Sequence, residues 1–412
     1  MITQPALPSH SPKYRLPIFL IATIVAFCQI TEAIYMPLLP QMVKSLHTTK
    51  ALSQWTISAF LLGFSLGVLI MGPISDNLGR KKVFNWCYLI FAIGTGICIF
   101  SSDISMLLGG RIVQAFGAGG ASILSQTMLR DNLQGPPAAQ AFSIVILLTG
   151  LSPLIAPLLG GYLGEFFNWP STFIAILVIQ IVLWILGAIF FKETLDPRHP
   201  NIPLHRSLAH LSTDRYVIGC TLLGGMGLAS LVLFYTEGPF IFINHFGLSP
   251  SEFAWFTTGV GLPLAGGSLL GNLWAKHMSM NTRVQICIWI FLITALIWTI
   301  IAFSVPMDRA YEIMDLLFLY GILAILFLCI GILMPTILGE ALINYKDVLG
   351  TAGAVFAFAY TVIGSICTFA IGVVPGDPHY ILPSFLLLLG VMGILSFYFL
   401  VRRGPGTKAR NI

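Results

Sequence analysis

Charged residues are scarce in this chain. Asp, Glu, Lys and Arg together make up 9% of the 412 residues, whereas 57% are hydrophobic. Soluble domains carry roughly 25% charged residues, so the composition excludes a soluble globular protein and predicts one that is embedded in a membrane. The apolar runs are about 20 residues long, which is the length that a transmembrane helix needs. Because a spanning helix satisfies its own backbone polar groups, the sequence predicts an all-α membrane protein.

The motifs of catalysis and of cofactor binding are missing as well. The seven cysteines are scattered through apolar runs without a CxxC pair, which excludes a disulfide framework and a cysteine metal site. The sequence contains no GxxxxGK[ST] loop, no paired metal ligands and no nucleophile elbow, so ATP-driven or hydrolytic chemistry has no support. We therefore expect a protein that is not an enzyme, with no catalytic residues, no metal and no cofactor.

What the chain does contain is a series of twelve apolar spans. The longest polar interval, 193–215, divides them into two sets of six. The predicted fold is therefore twelve transmembrane helices in two pseudo-symmetric six-helix bundles. The first bundle occupies 1–192, a cytoplasmic linker occupies 193–215, and the second bundle with a cytoplasmic tail occupies 216–412. Such parallel repeats are a known plan of membrane transporters, with the substrate site between the halves.

Weak internal similarity supports the two halves. The dipeptide Thr31-Glu32 in the first span recurs as Thr236-Glu237 in the seventh. A pair of glycines four residues apart in the second span, 63 and 67, matches the pair at 267 and 271 in the eighth.

The positions of the basic residues predict the orientation. Of the 21 Lys and Arg residues, only Lys44, Lys50 and Arg309 fall in segments that would lie outside, and Arg111 falls within a span. By the positive-inside rule, both termini are predicted to be cytoplasmic, and the expected location is a bacterial inner membrane. The same rule explains the net charge of +5, so we expect no nucleic-acid partner. The expected partners are the lipid bilayer, protons and a small-molecule substrate, and the chain is expected to be monomeric.

Few ionisable groups fall inside the spans, and a charge at the bilayer centre costs about 2.5–3.5 kcal/mol. From the helical rise, Glu32 lies about 22 Å from the inner face and Arg111 lies about 10 Å below the outer face. In a hydrocarbon core about 30 Å thick, these two depths agree to within a few ångströms. Glu32 is therefore predicted to bind a proton, with its charge tuned by Arg111. The alternative is a structural ion pair between the two.

A second acid, Glu237, lies near the outer end of the seventh span and precedes Gly238-Pro239, which loosens a helix. It is either a further protonation site or an acid that reaches the outer interface. Polar side chains near the two acids are candidates for binding the substrate: Gln29, Tyr35, Gln114 and Tyr235.

A dense polar run at 72–83 lies between the second and third spans. Two glycines bracket its acid, as in a tight turn between helices, and its three adjacent bases resist crossing a bilayer. The run resembles the signature G-x-x-x-D-x-x-G-R-[KR] of the major facilitator superfamily, in which this loop is implied to clamp the inner ends of the two halves. The matching residues, expected to act in gating, are Gly72, Asp76, Gly79, Arg80 and Lys81.

Two further stretches resemble motifs of the same superfamily. Arg111 and Gln114 match its fourth-span motif, with Ala115 in place of a glycine. Residues 152–161 resemble the fifth-span antiporter motif GxxxGPxxGG, whose prolines and glycines are expected to act in gating: Pro153, Pro157, Gly160 and Gly161.

Residues 156–162 together with Trp169 and 238–240 are most similar to the bicyclomycin-resistance (Bcr/CflA) branch of drug:proton antiporters. In that branch an acid usually stands four residues before the proline of the first span. Here that position is Ala33, and Glu32 lies one residue earlier.

The resemblance and the intramembrane acids together predict a proton-coupled inner-membrane exporter, an antiporter of small, largely apolar compounds or drugs that works by alternating access. Two alternatives stay open. The protein could carry one anionic metabolite, such as a siderophore, with Arg111 binding its carboxylate. It could also be a membrane receptor that has a transporter's fold and no turnover.

Overall fold

The computed structural model describes residues 17–133, 135–195, 211–304, 313–341 and 349–402. Within these ranges the secondary structure is entirely helical. Among the described residues, twelve helical segments are long and apolar enough to cross a membrane, which confirms the predicted fold class.

The thirteen α-helices that we number here make up these twelve segments. The first segment contains α1, a 3₁₀ turn at Met36–Leu38 and α2, and the seventh and twelfth segments end in π-helical turns at Phe240–His245 and Phe397–Val401. The helices are α1 Ile18–Ala33, α2 Leu39–Ser45, α3 Lys50–Leu78, α4 Arg80–Ile99, α5 Ile104–Asn132, α6 Pro136–Phe166, α7 Pro170–Phe190, α8 Arg215–Pro239, α9 Pro250–Trp274, α10 Met280–Ser304, α11 Ile313–Ala341, α12 Leu349–Val373 and α13 Pro378–Ser396.

Short polar side chains start several of these helices, where the first backbone N–H groups have no partner within the helix. Thr49 accepts a hydrogen bond from the Leu52 N–H at the start of α3, and Asp103 accepts two at the start of α5. Ser249 and Glu252 form a capping box at the start of α9. At these helices a polar residue at the end of the loop thus fixes where the next apolar helix begins.

Helices α1–α7 pack mainly against one another, as do α8–α13; we call these sets the N-terminal half and the C-terminal half. The glycine pairs of the internal similarity have equivalent roles in them. Gly63 and Gly67 of α3 pack on the backbone of α5, and Gly267 and Gly271 of α9 pack on α11. The boundaries of the predicted linker stay a prediction, because residues 196–210 and the tail after Arg402 lie outside the described residues.

The two halves meet mainly through α3 with α12 and α6 with α9. Between described residues, the hydrogen bonds that join the halves lie toward one end of the bundle, where α2, α6 and α8 finish. There Trp55 donates to the Phe369 carbonyl, Ser58 and Ser365 donate to each other's carbonyl groups, and Thr258 donates to the Leu154 carbonyl. We call this the closed end. We call the opposite end, where the described chain starts and finishes, the terminal end; no hydrogen bond between described residues joins the halves there.

The polar run at 72–83 differs from the expected loop. Helix α3 continues to Leu78 and α4 starts at Arg80, so Gly79 alone connects them. Gly79 has φ +96°, in the region that favours glycine. The polar residues before it therefore form the last helical turns of α3, because a helix that leaves the apolar layer can continue with polar side chains.

Candidate functional site

Arg111 lies at the centre of the N-terminal half and its side chain is completely buried. Three aromatic rings surround its guanidinium carbon, with ring centroids 4.2 Å away for Phe60, 4.3 Å for Tyr35 and 5.7 Å for Phe173. Aromatic faces attract a cation, and they do so more strongly when water is excluded. The rings thus replace part of the hydration that a buried guanidinium loses.

Hydrogen bonds hold the same guanidinium from one side. Its Nη1 donates to Gln114 Oε1 at 2.5 Å and to the Thr31 carbonyl oxygen at 3.4 Å. Gln114 donates to Thr95 at 3.0 Å, and Thr95 donates to Gln180 at 3.0 Å. Nε and Nη2 of Arg111 have no hydrogen-bond partner among the described residues. The network joins α1, α5, α4 and α7, so it fixes the packing of this half.

Glu32 lies beside this network but outside it. Arg111 contacts the backbone of the preceding residue, so the acid and the base share one depth. Glu32 is partly exposed, and within the described ranges no ion pair or hydrogen bond is found for its carboxylate. It lies within electrostatic reach of Arg111 on one side and of the Tyr235 and Tyr360 hydroxyl groups of the C-terminal half on the other. The predicted alternative of a direct Glu32–Arg111 ion pair is not formed in this conformation.

The four predicted substrate-binding residues have different surroundings. Gln29 is exposed. Tyr35 and Gln114 are fully buried in the Arg111 network, where the Tyr35 hydroxyl is 3.0 Å from Thr56 Oγ1. Tyr235 is 5% exposed, and its hydroxyl has no hydrogen-bond partner in the described part of the chain. A direct contact of Tyr35 or Gln114 with substrate would require this packing to open, so their role stays a prediction.

Glu237 is the acid whose position the sequence left undecided, and it is not a solvated acid at the membrane interface. Its side chain is 0% exposed. One carboxylate oxygen forms an ion pair with Lys50 Nζ at 2.7 Å, and the other accepts a hydrogen bond from Gln54 Nε2 at 2.9 Å. Lys50 and Gln54 lie on the first turns of α3, so Glu237 is bound from the opposite half.

Sequence reasoning overlooked Lys50 and Gln54 as functional candidates. A signal was present, because Lys50 is one of the few bases on the side that the positive-inside rule leaves poor in bases. Gln54 follows it by four residues, which places both on one face of a helix.

The polar run is held together within the N-terminal half. Arg80 forms ion pairs with Asp76 at 2.5 Å and with Asp131 at 3.1 Å, and it donates to the Ser75 hydroxyl at 2.6 Å. All these partners belong to α3 and α5. The clamp between the two halves that the family resemblance implies is therefore not made by Asp76 or Arg80 in the described part of this conformation.

Glu193, which follows α7, caps the start of α4. Its carboxylate accepts hydrogen bonds from the backbone N–H groups of Arg80 at 2.8 Å and Lys81 at 3.2 Å, and of Thr194 and Leu195 at 3.0 Å each. Partial burial acts to raise the pKa of Glu193, but these four donors outweigh it and lower the pKa. Sequence reasoning missed Glu193 and Asp131, because neither matches the signature of the run.

The gating prolines and glycines of residues 152–161 lie in one continuous helix. Pro153 and Pro157 do not interrupt α6. A side chain at Gly160 would overlap the carbonyl oxygen of Ile34 in the first membrane segment, and one at Gly161 would meet Pro250 and Ala254 of α9. Gly160 therefore contacts the N-terminal half and Gly161 contacts the C-terminal half. The role of these prolines and glycines in gating stays a prediction.

Comparison with known proteins gives the family. The model of the Major Facilitator Superfamily matches residues 21–368. The chain belongs to the major facilitator superfamily. A member of this superfamily is a transporter of small molecules and not an enzyme, in agreement with the missing catalytic motifs.

Among curated relatives of this facilitator, the uncharacterized MFS-type transporter YdgK of Bacillus subtilis is 27% identical, over 97% of this chain and 100% of that protein. The bicyclomycin resistance protein homolog of Haemophilus influenzae is 23% identical, over 90% of this chain and 92% of that protein. The crystal structure of a D-xylose-proton symporter superposes with a TM-score of 0.73 at 15% identity, covering 96% and 100% of the two chains. That likeness shows the fold alone.

Proposed function

We propose that this facilitator is a proton-coupled exporter of small, largely apolar compounds, including drugs, in the bacterial inner membrane. The relatives that carry resistance in their names support the substrate class. The position of the Lys and Arg residues supports an orientation with both termini in the cytoplasm, which makes the closed end the outer end. Hydrogen bonds between the halves that lie toward that end, as they do among the described residues, are what alternating access requires of a state that is open to the cytoplasm.

The observation that carries the proposal is the isolation of Glu32. A carboxylate inside a membrane span needs a partner or a proton, because a buried unpaired charge is strongly unfavourable. Glu32 has no ion-pair or hydrogen-bond partner among the described residues, lies between the halves and is partly exposed. It can therefore gain or lose a proton without disturbing the Arg111 network beside it.

In the proposed cycle, a proton taken from the outside neutralises Glu32 and favours the return to the state that is open inward. Its release to the cytoplasm restores the charge, and substrate leaves in the other direction. One elementary charge moved across 100 mV is worth about 2.3 kcal/mol, which is sufficient to bias a carrier with two conformations.

The alternative of an anionic metabolite receives less support. It requires a substrate carboxylate to reach Arg111, whose side chain is 0% exposed and enclosed by Tyr35, Phe60 and Phe173. A panel of small carboxylic acids beside a panel of neutral and cationic lipophilic compounds separates the two substrate classes. Ligand binding without any flux in proteoliposomes would instead favour a receptor.

The decisive experiment compares Glu32→Gln with the wild type in inside-out vesicles. We expect the variant to insert and fold, because glutamine keeps the shape of the side chain, but to lose accumulation driven by a pH gradient while retaining exchange of substrate across the membrane. Glu340→Gln, which changes an acid in the last turn of α11, is the matched control and should behave as the wild type. Accumulation driven by a pH gradient at the wild-type rate in Glu32→Gln would refute the proton role.

A further inference from the structure

At the closed end, the halves are joined mostly by uncharged groups. Ser58 and Ser365 exchange hydrogen bonds of 2.8 and 2.9 Å with each other's backbone, and Trp255 donates to the Tyr162 hydroxyl at 2.9 Å. Among pairs of described residues, Lys50–Glu237 is the ion pair that bridges the halves. It therefore differs from the surrounding hydrogen bonds between uncharged groups, because its strength depends on the charges of Lys50 and Glu237.

The two members of this ion pair are unequally exposed. The Lys50 side chain is 28% exposed, whereas that of Glu237 is completely buried. If the halves separate, Lys50 leaves the Phe240 ring of the C-terminal half, which is now 5.5 Å away, and can turn to water at the start of α3. Glu237 stays on α8 and loses both Lys50 and Gln54, which come from the other half. A buried carboxylate without its partner is strongly unfavourable.

A second carboxylate near Glu237 increases this penalty. Asp377, at the start of α13, lies within electrostatic reach of Glu237 and repels its charge. Asp377 is itself 3.4 Å from His245, which follows α8, and His379 is two residues further on. All three belong to the C-terminal half and stay with Glu237 when Lys50 departs.

We propose that Lys50, Gln54 and Glu237 form a charge lock that holds the halves together at the closed end, and that a proton on Glu237 releases it. The inference rests on the alternating access of the proposed function. It adds a second proton-binding group, separate from Glu32 in position and in task. Glu32 binds its proton in the space between the halves, whereas a proton on Glu237 determines whether the outer end can open.

The charge lock can be tested without transport, by hydrogen–deuterium exchange of the purified full-length protein in lipid nanodiscs at neutral pH. In Lys50→Met, we expect deuterium uptake over residues 46–58 and 250–258 to rise several-fold, because these segments form the closed end. Lys44→Met is the matched control. Lys44 lies in the last turn of α2 and is exposed, so its removal should leave uptake at the wild-type value.

Glu237→Gln imitates the protonated acid. In the wild type, uptake at the closed end should rise as the pH falls, since protonation removes the charge that Lys50 binds. In Glu237→Gln it should be high and independent of pH. If the pH dependence persists in this variant, His245, Asp377 or His379 causes it and the charge lock is overturned.

The exchanged variant Lys50→Glu/Glu237→Lys restores the ion pair with reversed charges and should return uptake toward the wild type. Wild-type uptake in a folded Lys50→Met protein would also overturn the proposal. These outcomes are separate from those of the proposed function, because Glu32→Gln should leave uptake at the closed end unchanged while it abolishes accumulation driven by a pH gradient.

Discussion

At the scale of single residues, Arg111 shows how a cation can be buried in a membrane protein without a carboxylate. Two of its nitrogens have no hydrogen-bond partner in the described part of the chain, and Glu32 does not pair with it. What it has instead is flat aromatic surface on several sides. A planar, weakly hydrated guanidinium suits this environment better than an ammonium group does.

Replacement of Arg111 by Lys should therefore be destabilising even though the charge is kept. The ammonium group cannot stack on the Tyr35 and Phe60 rings or donate in the same plane to Gln114, so we expect a loss of about 2 kcal/mol in the free energy of unfolding. The thermal midpoint of the purified protein, followed by tryptophan fluorescence, measures this loss.

Arg130→Lys is the control for this prediction. Arg130 lies 5.3 Å from the Phe142 ring but is exposed, unlike Arg111, so its replacement should change the midpoint less than that of Arg111 does. Equal midpoints for the Arg111 variant and the wild type would contradict the stacking argument.

Sequence reasoning located some of these residues and missed others for a physical reason. Glu32 and Arg111 stand out because charge within an apolar span is costly. The axial rise of an α-helix per residue is enough to predict that they lie at the same depth in the membrane. The partner of Glu237 could not be found in that way, since Gln54 lies 183 residues away in the chain and in the other half. Depth along a helix follows from the sequence, whereas the face that a helix turns to a distant neighbour does not.

At the scale of elements, α6 is the helix that contacts both halves at neighbouring positions. Gly160 lies against the backbone of the first membrane segment, and Gly161 lies against α9. Small residues allow helices in a membrane to approach closely. In the proposed alternating access, the Gly160 contact lies within one half and should persist, whereas the Gly161 contact joins the halves and should break when the closed end opens.

Gly160→Ala should consequently destabilise the fold. The added methyl group would overlap the Ile34 carbonyl oxygen, so α6 must move away from the first segment, at a cost of about 1–3 kcal/mol. The measurement is the thermal midpoint of the purified variant.

Gly150→Ala is the control in the same helix. Nothing lies within 4 Å of the position that its methyl group would take, and alanine favours a helix over glycine by about 1 kcal/mol. This variant should be as stable as the wild type or more so. If Gly160→Ala had the same thermal midpoint as Gly150→Ala, the helices at the Ile34 contact could move apart without a loss of stability, and the prediction would be wrong.

The end of α3 shows where element boundaries were misjudged. Glycine, proline and several charges at 72–83 indicate a turn when the apolar pattern is the guide. Gly72, Pro73 and Asp76 are nevertheless helical, and the connection shrinks to Gly79. A polar run indicates where the chain leaves the lipid. The helix itself can continue beyond that point, as α3 does here.

At the scale of the whole molecule, the hydrogen bonds between the halves define a conformation. Among the described residues they lie at the closed end, while Asp76 and Arg80 at the terminal end form ion pairs within their own half. With the orientation that the basic residues predict, this is the state open to the cytoplasm.

The orientation itself can be tested by labelling in whole cells. Ser45→Cys places a thiol at an exposed position of the closed end, and His277→Cys places one at an exposed position of the terminal end. A maleimide that cannot cross the membrane should label the first variant and not the second until the cells are permeabilised. The wild type is the blank, because six of its seven cysteines are buried and the seventh is only partly exposed. The reverse labelling pattern would invert the proposed direction of transport.

The reciprocal hydrogen bonds of Ser58 and Ser365 have a consequence for the speed of the cycle. When the helices separate, each hydroxyl can donate to a carbonyl of its own helix, as Ser143 and Thr149 already do in α6. Such contacts break and re-form with little delay. If the charge lock operates as proposed, the slow event at the closed end is the arrival of a proton at the buried Glu237 carboxylate. The turnover rate should then depend mainly on the acidity of the outer medium, and little on the number of hydrogen bonds that join the halves.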